Sequence, residues 1–364
     1  MTVEVRTVDL PDAADEVGER GDRFRRHHAF ATRVSDARYA PGAFDLRPDE
    51  RLAAWASSPS ERHVRLEAVD GDRLLGAADL WLPLSESTDV LDVGTASDPE
   101  LEAAQARDVH RALVAHVLAL ADAQGRTVVM GGSPGLASAP PGSALVAAAT
   151  GFGAADPSDP EAAPLVEAGF ALEQVYRVSL VDLDALPDLP ERLAAARERS
   201  AGYRVLAWEG PTPPEHRSAI RGLHERMSTD APVGDLALEP ETWSDERLAA
   251  FEEQKARGGR TIRTVAAATA DGELVGFSRL FAGDSDVARQ HDTLVVREHR
   301  GHGLGMLLKL ANLAELAAHH PHHRRVSTWN AEENRPMLAT NEAVGFAPIA
   351  YEAVWQRRQR EEQP

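Results

Sequence analysis

At 364 residues, with no cysteine and a formal net charge of -19, the chain has room for two domains of roughly 100–200 residues each and lacks thiolate, disulfide and Cys-metal chemistry. Hydrophobic residues make up 43% and charged ones 27%, ordinary for a soluble globular protein, and no stretch approaches the roughly 20 apolar residues of a membrane span. The acidity argues against a nucleic-acid partner and suits a cationic substrate as well as it suits plain solubility. Met1 to Arg6 carries no secretory signal, so the expected location is cytoplasmic, without a membrane partner.

In chain order, the first clear element is a hairpin turned at Asp70-Gly71-Asp72-Arg73, followed by a strand at Val90 to Val93 and a long helix at about Ala103 to Ala123. The stretch from Gly131 to Pro160 is rich in Gly, Ala, Pro and Ser and predicts an irregular loop. Glu167-Ala168-Gly169-Phe170 and Tyr176 follow, then a charged helix from Pro190 to Arg199. The second half repeats this order. A strand at Thr261 to Ala268, a turn at Asp271-Gly272, and strands at Glu273 to Phe281 and Asp292 to Val296 lead into a helix from about Gly303 to Ala318. A strand at Val326 to Trp329, a helix at Pro336 to Val344 stopped by Gly345, and a strand at Ile349 to Trp355 complete it. Asp271-Gly272 parallels Asp70-Gly71, and Glu342 to Phe346 with Tyr351 parallels Glu167 to Phe170 with Tyr176, so the chain reads as two copies of one fold. The fold class is α+β on mixed sheets, with domains at 1–187 and 188–364.

The copies differ at one loop. Arg300-Gly301-His302-Gly303-Leu304-Gly305 lies between an apolar strand and an apolar helix. Free amides and the helix dipole converge at such a turn, and glycine lets a pyrophosphate approach the backbone. Met306 and Leu307 stand where a P-loop needs Lys-Ser/Thr, and the spacing Gly301-x-Gly303-x-Gly305 is not the dinucleotide fingerprint. The corresponding loop of the first copy, Gly94 to Glu100, has neither the arginine nor the glycines.

With Thr293 to Val296, the loop and the segment Asn334 to Phe346, the second half resembles the GCN5-related N-acetyltransferases, whose signature is Arg/Gln-x-x-Gly-x-Gly/Ala. The layout is similar to the tandem actinobacterial members, mycothiol synthase among them. That resemblance implies two splayed mixed sheets flanked by helices, acetyl-CoA as donor, and direct transfer with no covalent enzyme intermediate. It implies cofactor contacts from Leu294, Val295 and Val296, from the Arg300 to Gly305 amides, and from Asn334. Where many relatives carry a tyrosine acid, this chain has Asn341, which cannot supply a proton.

A base must deprotonate the attacking amine. His291 and Asp292 head the strand entering the cofactor loop, and a His pKa of about 6.5 lies near working pH. Tyr351 is a candidate for the missing acid, or a packed core tyrosine. Asn330 is a candidate to orient substrate or water, or a turn residue. In the early-helix segment His224 to Asp235 and just beyond it, Asp230, Asp235 and Glu239 are candidates to pair with an acceptor ammonium. His319-His320-Pro321-His322-His323 reads as a solvated loop, and no metal is expected. The expected activity is acetylation of a primary amine on a small cationic molecule, by a monomer or homodimer. A protein acetyltransferase and a non-catalytic acyl-CoA-binding module are the alternatives.

Overall fold

The computed structural model describes residues 2–230 and 232–359. The N-terminal half runs β1 (Glu4–Thr7), α1 (Glu19–Arg38), α2 (Pro48–Trp55), β2 (Glu61–Asp70), β3 (Arg73–Pro83), β4 (Val90–Ser97), α3 (Ala103–Ala123), β5 (Val128–Pro134), β6 (Val146–Ala147), β7 (Ala154–Ala155), α4 (Ala162–Glu167) and β8 (Ala171–Asp182). The C-terminal half runs α5 (Leu189–Arg199), β9 (Arg204–Glu209), α6 (Arg217–Asp230), α7 (Asp245–Arg257), β10 (Thr261–Ala268), β11 (Leu274–Ala282), β12 (Val287–Val295), α8 (Leu304–His319), β13 (Arg325–Ala331), α9 (Arg335–Val344) and β14 (Ala347–Arg358). Two departures from the sequence reading stand out. Gly131 to Pro134 belongs to β5 rather than to an irregular loop, and β12 begins at Val287, five residues before the expected Asp292.

Twelve strands form one sheet in the order β1-β2-β3-β4-β5-β14-β8-β13-β12-β11-β10-β9. This order is the same read from either end, each half contributing equivalent strands, and the last strand of each half crosses to the other. β14 pairs with β5 of the first half, whereas β8 pairs with β13 of the second. The 187/188 division falls in the connection before α5, but the sheet does not divide there. Trp355 on β14 is fully buried in the N-terminal core and donates its indole N–H to Ser133 Oγ at 2.9 Å. Ending the chain after Phe346 therefore unfolds both halves, with no cooperative thermal transition by circular dichroism. Losing that tryptophan side chain alone costs about 3–5 kcal/mol against a usual stability of about 5–15 kcal/mol.

In each half the central parallel pair separates. β12 and β13 are in register only from Val287/Arg325 to Arg289/Ser327, so a slot opens beyond. α8 is mostly buried: Leu304, Leu307, Leu308 and Leu316 lie in the core, and α5 brings Leu189, Leu193 and Ala196 into the same core. Each such leucine contributes about 1.5–3 kcal/mol, enough to hold the N-terminus of α8 rigidly at the mouth of the slot.

Candidate active site

The loop into α8 is shaped by two glycines in the left-handed region, Gly301 at φ 85° and Gly303 at φ 78°. Gly303 caps the helix, and Leu307 is the first helical residue whose amide bonds back, to the Gly303 carbonyl at 3.0 Å. The amides of His302, Gly303, Leu304 and Gly305 make no hydrogen bond among the described residues, and a Cβ on Gly301 would meet no atom within 4 Å. A pyrophosphate fits that set of free donors at a helix N-terminus. The loop is braced from behind, where Ser200 Oγ donates to the His302 carbonyl at 2.9 Å and Tyr203 bonds His299 at 2.9 Å.

Arg300 is committed to the protein itself. Its Nε donates to the Val295 carbonyl at 3.0 Å and its Nη2 to Asp230 at 2.7 Å. Asp230 is thus a partner of the cradle arginine and does not line the acceptor cavity described below. Val296 is corrected too: its amide donates to the Val275 carbonyl at 2.9 Å. Backbone donors alternate sides along a strand, so Val295 is the residue whose amide turns to the slot. The side chains of Leu294 and Leu304 lie in the core, which leaves only their backbones for a ligand.

In the first half the same position is closed to an anion. Asp98 is buried and accepts from the Glu100 amide at 3.1 Å, and Glu102 caps α3. Carboxylates oppose a phosphate at a helix N-terminus.

The slot between β12 and β13 encloses about 220 Å³, lined among others by Arg289, His291, Asp292, Lys309, Asn330 and Asn334. Asn334 caps α9 by accepting from the Met337 amide, and Asn330 accepts from the buried Asn341 at 2.6 Å. A second cavity of about 590 Å³ lies between the halves. The two share Met227, His291 and Asp292, so they meet at that pair.

The meeting point is a β-bulge. Ser278 faces Thr293 and Leu280 faces Gln290, which leaves His291 and Asp292 together opposite Arg279. An extra residue breaks the period-2 alternation, so both side chains reach the openings instead of opposite faces. His291 Nδ1 lies 3.0 Å from Asp292 Oδ2, and His224 Nδ1 lies 3.5 Å from the same oxygen. Burial opposes ionisation of Asp292, but His291, His224 and Arg279 outweigh it and hold the carboxyl far below the usual range. Burial pushes His224 down to about 3, so this ring is neutral at neutral pH, with Nδ1 the nitrogen nearer Asp292. Arg279 Nη1 donates to His224 Nε2 at 2.8 Å, which assigns the ring proton to Nδ1, facing Asp292.

The 590 Å³ cavity is acidic. Arg247 pairs with Glu86 at 2.9 Å and Glu241 at 3.4 Å, whereas Glu61 and Asp92 form no ion pair among the described residues. Burial, with Glu61 adding to it, pushes Asp92 up to about 6. Glu239 lines this cavity, held by Ser87 through bonds of 2.6 and 2.9 Å. Asp235 does not; its side chain is exposed and its carbonyl accepts from Arg358. Tyr351 lines neither opening. It packs on the N-terminal core, with the Arg177 guanidinium 5.9 Å from its ring. Glu61, Asp92 and Lys309 carry no local signal in the sequence, since their neighbours in space are distant in the chain.

The histidine run is not a fully solvated loop: the rings of His322 and His323 lie 4.1 Å apart, with His320 6.0 Å from His323, and His323 is buried. His320 Nε2 meets Glu209 at 3.1 Å, His322 Nε2 meets the Gly283 carbonyl at 3.0 Å, and burial pushes His323 down to about 4. Among the described residues no group of three or more acidic or imidazole side chains could hold a metal, and no helix is long and apolar enough to cross a membrane.

Residues 223–346 match the sequence profile of the Acetyltransferase (GNAT) family. Over the whole of both chains the protein is similar to a tandem GNAT protein from the clavulanic acid biosynthesis pathway, at 26% identity and a TM-score of 0.70. A GCN5-related N-acetyltransferase from Sphaerobacter thermophilus aligns at 14% identity and a TM-score of 0.60, over 99% of this chain and 96% of that one. N-myristoyltransferase of Saccharomyces cerevisiae with bound myristoyl-CoA aligns at 11% identity and a TM-score of 0.53, over 99% of this chain and 79% of that one. At such identities these two speak for the fold alone. No curated protein matches the chain.

Proposed function

With residues 223–346 a domain of the GNAT acetyltransferase family and the chain an acyltransferase of tandem GNAT type, we propose that it moves an acetyl group from acetyl-CoA to a primary amine of a small cationic molecule. The single observation that carries this reading is the meeting of the donor slot and the acidic cavity at His291 and Asp292. Acetyl-CoA supplies an activated acyl carbon when bound. The amides of His302 to Gly305 would hold its pyrophosphate, the Val295 amide its pantetheine, and Asn334 would line its path.

His291 is the base. Asp292, ionised at neutral pH, draws the Nδ1 proton and leaves Nε2 to take a proton from the amine. Glu61, Asp92 and Glu239 favour an acceptor with positive charge beyond the reacting nitrogen. In this reading attack is direct, as the family resemblance implies: the amine nitrogen bonds to the acyl carbon as the carbon–sulfur bond breaks. In this reading the N-terminal half, with its closed cradle, forms one wall of the acceptor site.

Thioester turnover with a panel of amines tests the proposal. Di- and polycationic small amines are turned over faster than neutral primary amines of equal size, and Asp92→Asn raises KM for the cationic ones alone. Acetyl-CoA binding without turnover across the panel would instead make the chain an acyl-CoA-binding module.

A further inference from the structure

Lys309 lies on α8 one turn past Gly305 and is 1% exposed. It lines the donor slot, and no carboxylate pairs with it among the described residues. A buried ammonium without a counter-charge is costly and uncommon, so its retention needs a ligand-side reason. The first half offers a control. A Cβ on Gly276 would press on Leu308 at 3.3 Å and one on Gly76 on Val109 at 2.5 Å, so Lys309 and His110 each follow by one residue the side chain packed on the matching glycine. There, the neutral His110 ring bonds Thr95 through Nδ1 at 3.0 Å and leaves Nε2 without a partner among the described residues; in the second half the position holds an amine with no hydrogen bond or ion pair among them.

We propose that Lys309 is the acid of the reaction, protonating the coenzyme sulfur as it leaves. The inference rests on the acyl-CoA reading above. Lys309 gives a proton to the sulfur, which departs with the bonding pair when the carbon–sulfur bond breaks. His291 takes the proton released by the acceptor nitrogen as that nitrogen bonds to the acyl carbon, and exchange with solvent restores both groups. Lys309 thereby fills the role that Asn341, bonded to Asn330, cannot.

Burial alone pushes the Lys309 amine down to about 7. A thiol has a reference pKa of about 8.5, and a donor close to its acceptor transfers a proton without a steep penalty. The other ionisable groups lining the slot, Arg289, His291 and Asp292, all belong to β12; β13 contributes Thr328, Trp329 and Asn330, and α9 contributes Met337. From beyond the slot, Phe346 packs its ring 5.6 Å from the Lys309 ammonium.

The test uses free CoA and desulfo-CoA on the full chain and needs no acceptor. Thiolate ultraviolet absorbance reports the thiol of bound CoA as pH is raised. In the wild type this thiol ionises at least about one pH unit below its value in water, and CoA binds about tenfold more tightly than desulfo-CoA above neutral pH. Lys309→Met abolishes both differences while binding desulfo-CoA as the wild type does, and Lys309→Arg, which keeps a cation, retains them. A bound thiol that titrates as in water in the wild type, or an unchanged shift in Lys309→Met, overturns the assignment. Failure of the wild type to bind either nucleotide overturns the acyl-CoA reading itself.

Discussion

His291→Ala lowers kcat for amine acetylation by about 10²–10⁴-fold, the usual share of a positioned general base, and leaves acetyl-CoA affinity near the wild-type value. Affinity survives because the His291 ring bonds to nothing in the cradle loop. Asp292→Asn produces a loss of comparable order for a different reason. An amide at 3.0 Å from His291 Nδ1 can present its own N–H to the ring, which selects the wrong tautomer and occupies the nitrogen that should carry the proton. Because the native carboxyl is held far below the usual range, Asp292 stays ionised through all mildly acidic conditions. The sign follows from that depression: its contribution to stability is present above the unfolded value of about 3.9 and is lost only as pH falls further, through the folded value. A fall of wild-type activity in mild acid therefore does not come from Asp292. Pre-steady-state and pH–rate measurements on both variants check this, and a His291→Ala enzyme with kcat within a few-fold of wild type would remove the base assignment.

Gly303→Val eliminates measurable acetyl-CoA binding in a calorimetric titration that gives one site per wild-type chain. At φ 78° a β-branched residue is strained by about 1–3 kcal/mol before any contact is counted. Its Cβ would also lie 3.2 and 3.3 Å from Arg199 Cδ and Cγ and 3.4 Å from Ser200 Oγ, the group that braces the loop through His302. The turn must rebuild, and the free amides no longer converge. Gly301→Ala separates strain from crowding. Its φ of 85° is equally unfavourable, but its Cβ would meet nothing within 4 Å, so affinity drops only about tenfold or somewhat more, at about 1.4 kcal/mol per tenfold. Unchanged affinity in Gly303→Val would remove the basis of the cradle, and two sites per chain in the wild type would show that Asp98 and Glu102 do not close the first copy.

The elements legible in the sequence are those whose causes are local. Asp70-Gly71 and Asp271-Gly272 mark their turns by left-handed glycine, and Gly71 and Gly272 both adopt positive φ. The helix after Gly303 is marked by its apolar period, and Gly345 ends α9 at φ 121°. The bulge at His291-Asp292 was not legible, because it is defined by pairing with β11. A regular strand would set these two side chains on opposite faces, whereas the bulge brings both to the junction of slot and cavity. Tyr351 was placed by its position on the last strand, and crossing of that strand into the other half takes it away from the junction. Asp230, a candidate from sequence to pair with an acceptor ammonium, is set by folding against Arg300, which lies 70 residues away in sequence.

By itself the sequence determined a duplicated α+β fold, a glycine-rich turn into an apolar helix at Arg300 to Gly305 in the second copy alone, and the absence of cysteine chemistry. Turn conformation, helix capping and residue identity act within a few residues and leave a local trace. Only the tertiary structure decided that β8 and β14 change places, that Glu61 and Asp92 of one half line the same cavity as His291 and Asp292 of the other, and that Lys309 is buried with no ion-pair partner among the described residues. Sheet order, cavities and desolvation arise from contacts between segments far apart in the chain, and such contacts have no spacing that a linear reading can detect.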